Sequence, residues 1–328
     1  MLSRVRRKNR VLPVVILAIL VAVNAYLIAL LLRPEPEIAA EPVAPSTAAT
    51  TPTATSSAIS PDAEQSPSPT SSSPIPESSP SAKPEPEVIP TKRLIAAASS
   101  REAWRATVGD CTTSGNVERS TDGGKTWKRA LKSDLAPIVR LAFDGAGNLY
   151  TIGGVGQDCS TQYTAYSGNG EVADSTDSPM DVWFSRPKDR DQVYSPDNNK
   201  AAPCDASHVV GLSSLSTSEA LVICTDGAAM VTSDSGKSWA EAADVPGTLA
   251  VGSGGDRYWI AGTTASCDGI SIRSLQARDG ELTRGPSRCA PASNVTPGGV
   301  AIDYSDNTIW LWAGKKVKTS SDSGRSWI

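Results

Sequence analysis

Three octapeptides of one pattern recur along the chain: STDGGKTW at 120–127, TSDSGKSW at 232–239 and SSDSGRSW at 320–327. Each follows a short β-prone run and each ends on tryptophan. A motif copied at intervals of roughly a hundred residues points to one structural unit used several times, which narrows the fold to repeat architectures. The rest of the chain from residue 92 to 328 agrees. Short runs such as LIAAAS, IVRLAF, LYTIGG, ALVIC, RYWIAG, VAIDYS and TIWLWAG alternate with turn clusters such as DGAGN and SDNT, and no stretch has a helical period. Many short strands with evenly spaced turns specify an all-β fold.

The shared spacing is Ser/Thr-x-Asp-x-Gly-x-Ser/Thr-Trp. It is met by Ser120, Asp122, Gly124, Thr126 and Trp127, by Thr232, Asp234, Gly236, Ser238 and Trp239, and by Ser320, Asp322, Gly324, Ser326 and Trp327. Each residue type suits a turn between two strands. The carboxylate accepts backbone amides, as in Asx turns, and glycine takes a positive φ that other residues resist. The hydroxyls satisfy further backbone groups, and the indole covers the turn. The pattern resembles the Asp-box of the BNR-repeat family. That resemblance implies a β-propeller built from units of about 40 residues, the scale of one blade. The gaps between copies leave room for blades without the motif around Ile138–Ser175 and Thr248–Leu282. This gives about five to six blades, the sixth requiring the irregular stretch Asp181–Cys204. The sequence stops one residue after Trp327, so the segment Val88–Ala98 is expected to supply an outer strand to the last blade and close the ring.

The first 91 residues have a different texture. A basic tail at 1–10, with Arg4, Arg6, Arg7, Lys8 and Arg10, precedes an apolar run at 11–32. At 1.5 Å per residue that run spans roughly 33 Å, enough for one transmembrane helix, and it exceeds a signal-peptide core. The basic flank places the N-terminus in the cytoplasm and everything after residue 33 outside the cell membrane. Residues 33–91 are rich in Pro, Ser, Thr, Ala and Glu and almost free of large apolar side chains, the composition of a disordered linker. The domain boundaries that follow are 1–10, 11–32, 33–91 and the propeller at 92–328.

All six cysteines, Cys111, Cys159, Cys204, Cys224, Cys267 and Cys289, fall beyond the linker. An even number in an oxidising compartment reads as disulfides. Sequential pairing is preferred among the possible connectivities, because it links neighbouring loops. Cys111, Cys159, Cys224 and Cys267 fall near the same strand end of successive units, which makes that face rigid and the place to look for a partner. His208 is the lone histidine, and no cysteine pair has zinc spacing, so neither a metal nor a cofactor is expected. The outer part has no basic stripe, which argues against nucleic acid.

Asp-boxes occur in sialidases, in sortilin-type receptors and in photosystem assembly factors, which share blades and not a mechanism. A sialidase would set three arginines around a carboxylate and add a tyrosine nucleophile and acidic groups. Arg93 and Arg140 stand outside that family's motif, and Tyr163, Tyr166, Tyr194, Tyr258 and Tyr304 are only a pool of options. No catalytic residue is assigned. His208 is read as a solvated loop residue, and RPKDRDQVYSPDNNK at 186–200 as an exposed loop. Trp310 and Trp312 alternate on one strand face, which suits blade-to-blade packing better than a carbohydrate platform. The reading that follows is a membrane-tethered, extracellular propeller that acts as a binding or scaffold module for an envelope protein or glycan. An exo-sialidase or other glycoside hydrolase on the same fold is the alternative, and a structural component of a surface assembly is a second. Low Phe and Lys with high Ala, Thr and Pro suits a GC-rich bacterial genome, in which the sequon Asn294-Val-Thr296 has no meaning.

Overall fold

The computed structural model describes residues 91–131, 134–166, 172–175, 181–278 and 281–328. The basic tail, the apolar run and nearly all of the linker lie outside the described residues. Among the described residues no helix is long and apolar enough to cross a membrane.

The strands form six antiparallel sheets, each a meander in chain order. The first holds β1 (Arg93–Ala97), β2 (Ala103–Thr107), β3 (Asn116–Ser120) and β4 (Lys128–Leu131). The second holds β5 (Ile138–Phe143), β6 (Leu149–Val155), β7 (Ser160–Tyr166) and β8 (Val172–Ser175). The third has β9 (Phe184–Arg186), β10 (Asp189–Tyr194) and the two-residue β11 (Lys200–Ala201). The fourth has β12 (Val209–Ser214), β13 (Ala220–Cys224), β14 (Ala228–Thr232) and β15 (Ala240–Asp244). The fifth runs β16 (Thr248–Gly254), β17 (Arg257–Thr264), β18 (Cys267–Arg278) and β19 (Glu281–Arg284), with β20 (Arg288–Ala290) also paired to β18. The sixth has β21 (Val300–Ser305), β22 (Thr308–Ala313) and β23 (Lys316–Ser320).

The packing makes these sheets a closed ring. Strands near the middle of each sheet are apolar on both faces, and alternate side chains reach opposite neighbours. On β13, Leu221 and Ile223 join Tyr258, Ile260 and Leu275 of the fifth sheet. Ala220, Val222 and Cys224 join Val193 of the third together with Trp183 and Cys204, which flank its strands. On β22, Ile309 and Leu311 meet the fifth sheet, while Trp310 and Trp312 meet Ile95, Ala97 and Ala103 of the first. Two further clusters join the first sheet to the second and the second to the third. Every neighbouring pair therefore shares an apolar interface, including the sixth and the first. Sheets stacked face to face in a ring, edge-on to a central channel, are a β-propeller.

Three sequence expectations change here. The segment before Ala98 adds no outer strand to the last sheet, because Arg93–Ala97 pairs only with β2 as the innermost strand of the first sheet. The ring closes instead through the Trp310 and Trp312 packing, helped by a 2.8 Å bond from Lys92 N–H to the Gly298 carbonyl. Beside β23 it is Ile328 that exchanges two 3.0 Å backbone hydrogen bonds with Thr319. Second, 186–200 is no exposed loop: it carries β10 and β11, and its Val193 and Tyr194 are buried. The charges mislead, since Asp189, Arg190, Asp191 and Gln192 are half-buried within a strand. Third, His208 is not simply solvated, because its Nδ1 lies 2.7 Å from Asp191 Oδ2.

Candidate functional site

In an antiparallel meander, successive turns fall alternately at the two ends of the strands, and this sorts the motifs. Cys111 and Cys159 lie in the turns between second and third strands of their sheets, Cys267 opens the third strand of the fifth, and Cys224 ends the second strand of the fourth. The disulfides pair Cys111 with Cys159, Cys204 with Cys224 and Cys267 with Cys289. The first ties the first sheet to the second, the next ties the third to the fourth, and the last joins β18 to β20 within the fifth. The octapeptides follow the third strands β3, β14 and β23, so they lie at the opposite end of the ring.

The three octapeptides share one hydrogen-bond network. Asp122 Oδ1 accepts from Ser120 Oγ and from the Thr126 amide, both at 2.9 Å, while Oδ2 accepts from Thr126 Oγ1 at 2.6 Å. Asp234 does the same with Thr232 and Ser238, and Asp322 with Ser320 and Ser326. The first hydroxyl in turn accepts from the glycine amide: Gly124 to Ser120 at 2.9 Å, Gly236 to Thr232 at 3.0 Å and Gly324 to Ser320 at 2.8 Å. These donors, the hydroxyl at the seventh position foremost, pull the Asp122 and Asp234 carboxyls down to about 2 and lower Asp322 further in the same direction. Carboxylates held so firmly in the ionised form by their own turn are poor proton donors or acceptors near neutral pH.

Each octapeptide is also a joint to the preceding sheet. Trp127 stands edge-on to Trp310 of the sixth sheet, with centroids 6.4 Å apart, and Trp239 edge-on to Trp183 before the third, at 5.9 Å. Trp327 packs into the cluster shared by the fifth and sixth sheets. Trp183 and Trp310 each send Nε1–H, at 3.0 Å, to a carbonyl in the first turn of the following sheet, Ser216 and Ser99 respectively. The turn at Ser195–Asn199 belongs to the same set, though it lacks the closing tryptophan. Ser195 is wholly buried and its Oγ accepts the Asn199 amide four residues on, while Asn199 Nδ2 donates to Ser235 of the next octapeptide. The spacing Ser195-x-Asp197 is its only trace in the sequence.

The channel is where charge is enclosed. Its cavity near the disulfide end, about 110 Å³, is lined by Ile95, Leu141, Val251 and Ile302 together with Arg93, Arg140 and Arg190. Arg140 sits in the middle of β5 and also lines a second cavity of about 190 Å³ toward the octapeptide end, which holds Asp303. The Arg140 guanidinium is enclosed by protein apart from these cavities. Nη1 donates to the Leu212 carbonyl at 2.5 Å, whereas buried Nε has no partner. Burial draws its pKa down to about 10, against the pull of Asp303. Asp303 accepts the amides of Ala97 at 2.8 Å and Ser253 at 3.4 Å. Burial nevertheless raises its carboxyl to about 6, more than these amides and Arg140 lower it. Arg190 is likewise lowered by burial. Arg93 points elsewhere: Nη1 donates to the carbonyls of Gly299 at 2.9 Å and Gly314 at 2.5 Å, and the guanidinium lies over Trp312. Three arginines thus line one cavity, but among the described residues neither a tyrosine nor a carboxylate lines it with them. The sequence signal for the channel is a lone charge inside an otherwise apolar first strand, Arg140 in IVRLAF and Asp303 in VAIDYS.

No family model matches the chain, and no curated protein matches it. Solved structures do. A structure described as YCF48 bound to D1 peptide is 15% identical over 73% of this chain, which spans 66% of that chain, at a TM-score of 0.29. A protein of unknown function from Bacteroides thetaiotaomicron is 12% identical, covering 70% of this chain and 69% of its own, at a TM-score of 0.46. SapL1 lectin in complex with alpha methyl fucoside is 11% identical, covering 74% and 95%, at a TM-score of 0.45.

Proposed function

We propose that the chain is a membrane-tethered, extracytoplasmic propeller of six blades of the Asp-box type, and that it serves as a binding or scaffold module in the cell envelope. Residues 11–32 hold it in the membrane, residues 33–91 carry the head away from the surface, and an envelope protein or glycan docks on the disulfide end of the ring. The observation that carries this reading is the coincidence of all three disulfides with the arginine-lined cavity at one end of the channel. Crosslinked turns hold a recognition surface in its bound shape, which lowers the entropic cost of association. The opposite end is occupied by octapeptide turns whose polar groups are bonded to one another.

The test is crosslinking in the native envelope. Photo-reactive side chains at exposed Thr112, Asp226 and Asp268, on the disulfide end, should capture a defined partner identified by mass spectrometry. The same group at exposed Lys125 or Lys237, within octapeptides, should not. Equal capture from both ends would remove the assignment of the face. Release of the intact protein by alkaline carbonate, without detergent, would remove the anchor.

A further inference from the structure

The geometry points to a small, weakly hydrated monoanion seated in the channel cavity between Arg140 and Arg190. This inference concerns the interior of the ring and stands whether or not the disulfide end is the partner face.

Arginine remains protonated in proteins, so the cavity encloses at least two positive charges, on Arg140 and Arg190. Arg93 adds a third at its rim, although carbonyls and Trp312 take up its guanidinium. Among the described residues no carboxylate lines this cavity. Among the described residues the acid that lines the other cavity is Asp303, whose charge acts on Arg140 without forming an ion pair with it. The protein supplies Arg140 with a single carbonyl, leaving its buried Nε–H unpartnered, and gives Arg190 no hydrogen bond among the described residues. An enclosed cation with no carboxylate in direct contact is costly, and an unbonded N–H adds to that cost. An anion bridging the two guanidiniums relieves both.

The remaining lining selects the kind of anion. Leucine, isoleucine and valine residues of β1, β5, β12, β16 and β21 line the wall, slightly more than half of which is apolar. They cannot replace the hydration shell of a dianion such as sulfate, and a single negative charge matches two arginines of which one already feels Asp303. A cavity of about 110 Å³ accepts a halide or one carboxylate group and excludes a bulky organic anion. Either species offers the same chemistry, and the experiment separates them.

The full chain in detergent micelles is melted at constant ionic strength. Sodium bromide or sodium acetate replaces a bulky morpholinoethanesulfonate salt stepwise. The expected result is a saturable rise in Tm, roughly 5–10 °C at a hundredfold excess over Kd. A rise with bromide alone identifies a free halide, and a rise with acetate alone identifies a carboxylate group. Arg190→Gln, at a half-buried position, should stay folded and lose the saturable rise. Arg140→Met should lose it too, and bromide crystals should show anomalous density between the two arginines in wild type only. The proposal is overturned if bromide and acetate both match the bulky anion, if sulfate stabilises equally well, or if Arg190→Gln keeps the full response.

Discussion

Asp303 Oδ2 accepts a 2.8 Å hydrogen bond from the main-chain N–H of Ala97, across the joint where the sixth sheet meets the first. The same carboxyl, through Oδ1, reaches the Ser253 amide on the fifth sheet. One side chain thus touches three of the six sheets.

Its titration makes stability fall as pH rises. Burial lifts Asp303 to about 6, whereas an unfolded aspartate titrates near 3.9. Between those values the folded state keeps a proton that the unfolded state has lost, so stability declines from pH 4 to pH 6 and then levels off, by about 3 kcal/mol in all. The octapeptide carboxyls have the opposite sign. Asp122 and Asp234 are depressed to about 2, so their contribution is present above pH 4 and lost as pH falls through 2. From these groups, urea unfolding should be hardest near about pH 4. Asp303→Asn should flatten the limb between pH 4 and 6 and raise stability at pH 7. An unchanged limb in that variant would show that another group titrates there.

The octapeptide glycines should differ among themselves. Gly123 and Gly124 both have positive φ, of 77° and 84°, so alanine is strained at either. A β-carbon at 123 would meet nothing, but one at 124 would lie 3.1 Å from the Trp310 ring. Gly123→Ala should cost about 1–2 kcal/mol and Gly124→Ala about 1–3 kcal/mol more. Gly236→Ala, 3.2 Å from Trp183, should behave as Gly124→Ala does. Chemical denaturation of the three variants gives the comparison directly, and equal costs at 123 and 124 would argue against the joint.

Removing an octapeptide carboxylate should weaken the fold and nothing else. Asp122→Ala deletes acceptors for Ser120 and Thr126 and should lower Tm by on the order of 2–5 °C. Binding by the folded fraction to whatever crosslinks at the disulfide end should be unaffected. Lost binding at unchanged Tm would make this turn a contact surface.

The Cys204–Cys224 bridge should matter to stability as well as to shape, because it joins two sheets across a 20-residue separation. Cys204→Ser/Cys224→Ser should lose about 3 kcal/mol in the loop-entropy account. Limited proteolysis should then cut first between Ala201 and Val209, where β11 gives way to the chain leading into β12.

Much of the architecture is legible in the residues themselves, and the reason is local. A turn that needs a carboxylate, two hydroxyls and a positive-φ glycine leaves those residues at fixed offsets, as at 120–127. Alternation does the same for β22, where Trp310 and Trp312 share a face. What stays hidden depends on distant segments. Arg140 and Asp303 read as lone charges in apolar strands, and only ring closure reveals that both face one channel. The strand β10 is masked by its charges, since Asp191 becomes legible only beside His208 of the following sheet. The Ser195 turn is masked because asparagine at 199 replaces the glycine and no tryptophan follows.

The joint between the sixth and first sheets has a mechanical consequence. Elsewhere around the ring the chain itself passes from one sheet to the next, whereas here only side chains and a few hydrogen bonds span the gap. Any pull transmitted through the residues preceding 91 reaches the domain at β1, on one side of that gap. The load then falls on Lys92 and Arg93, bonded to the carbonyls of Gly298, Gly299 and Gly314, and on the tryptophans behind them. Tension on the N-terminal side of β1 and opening of the ring would therefore be coupled.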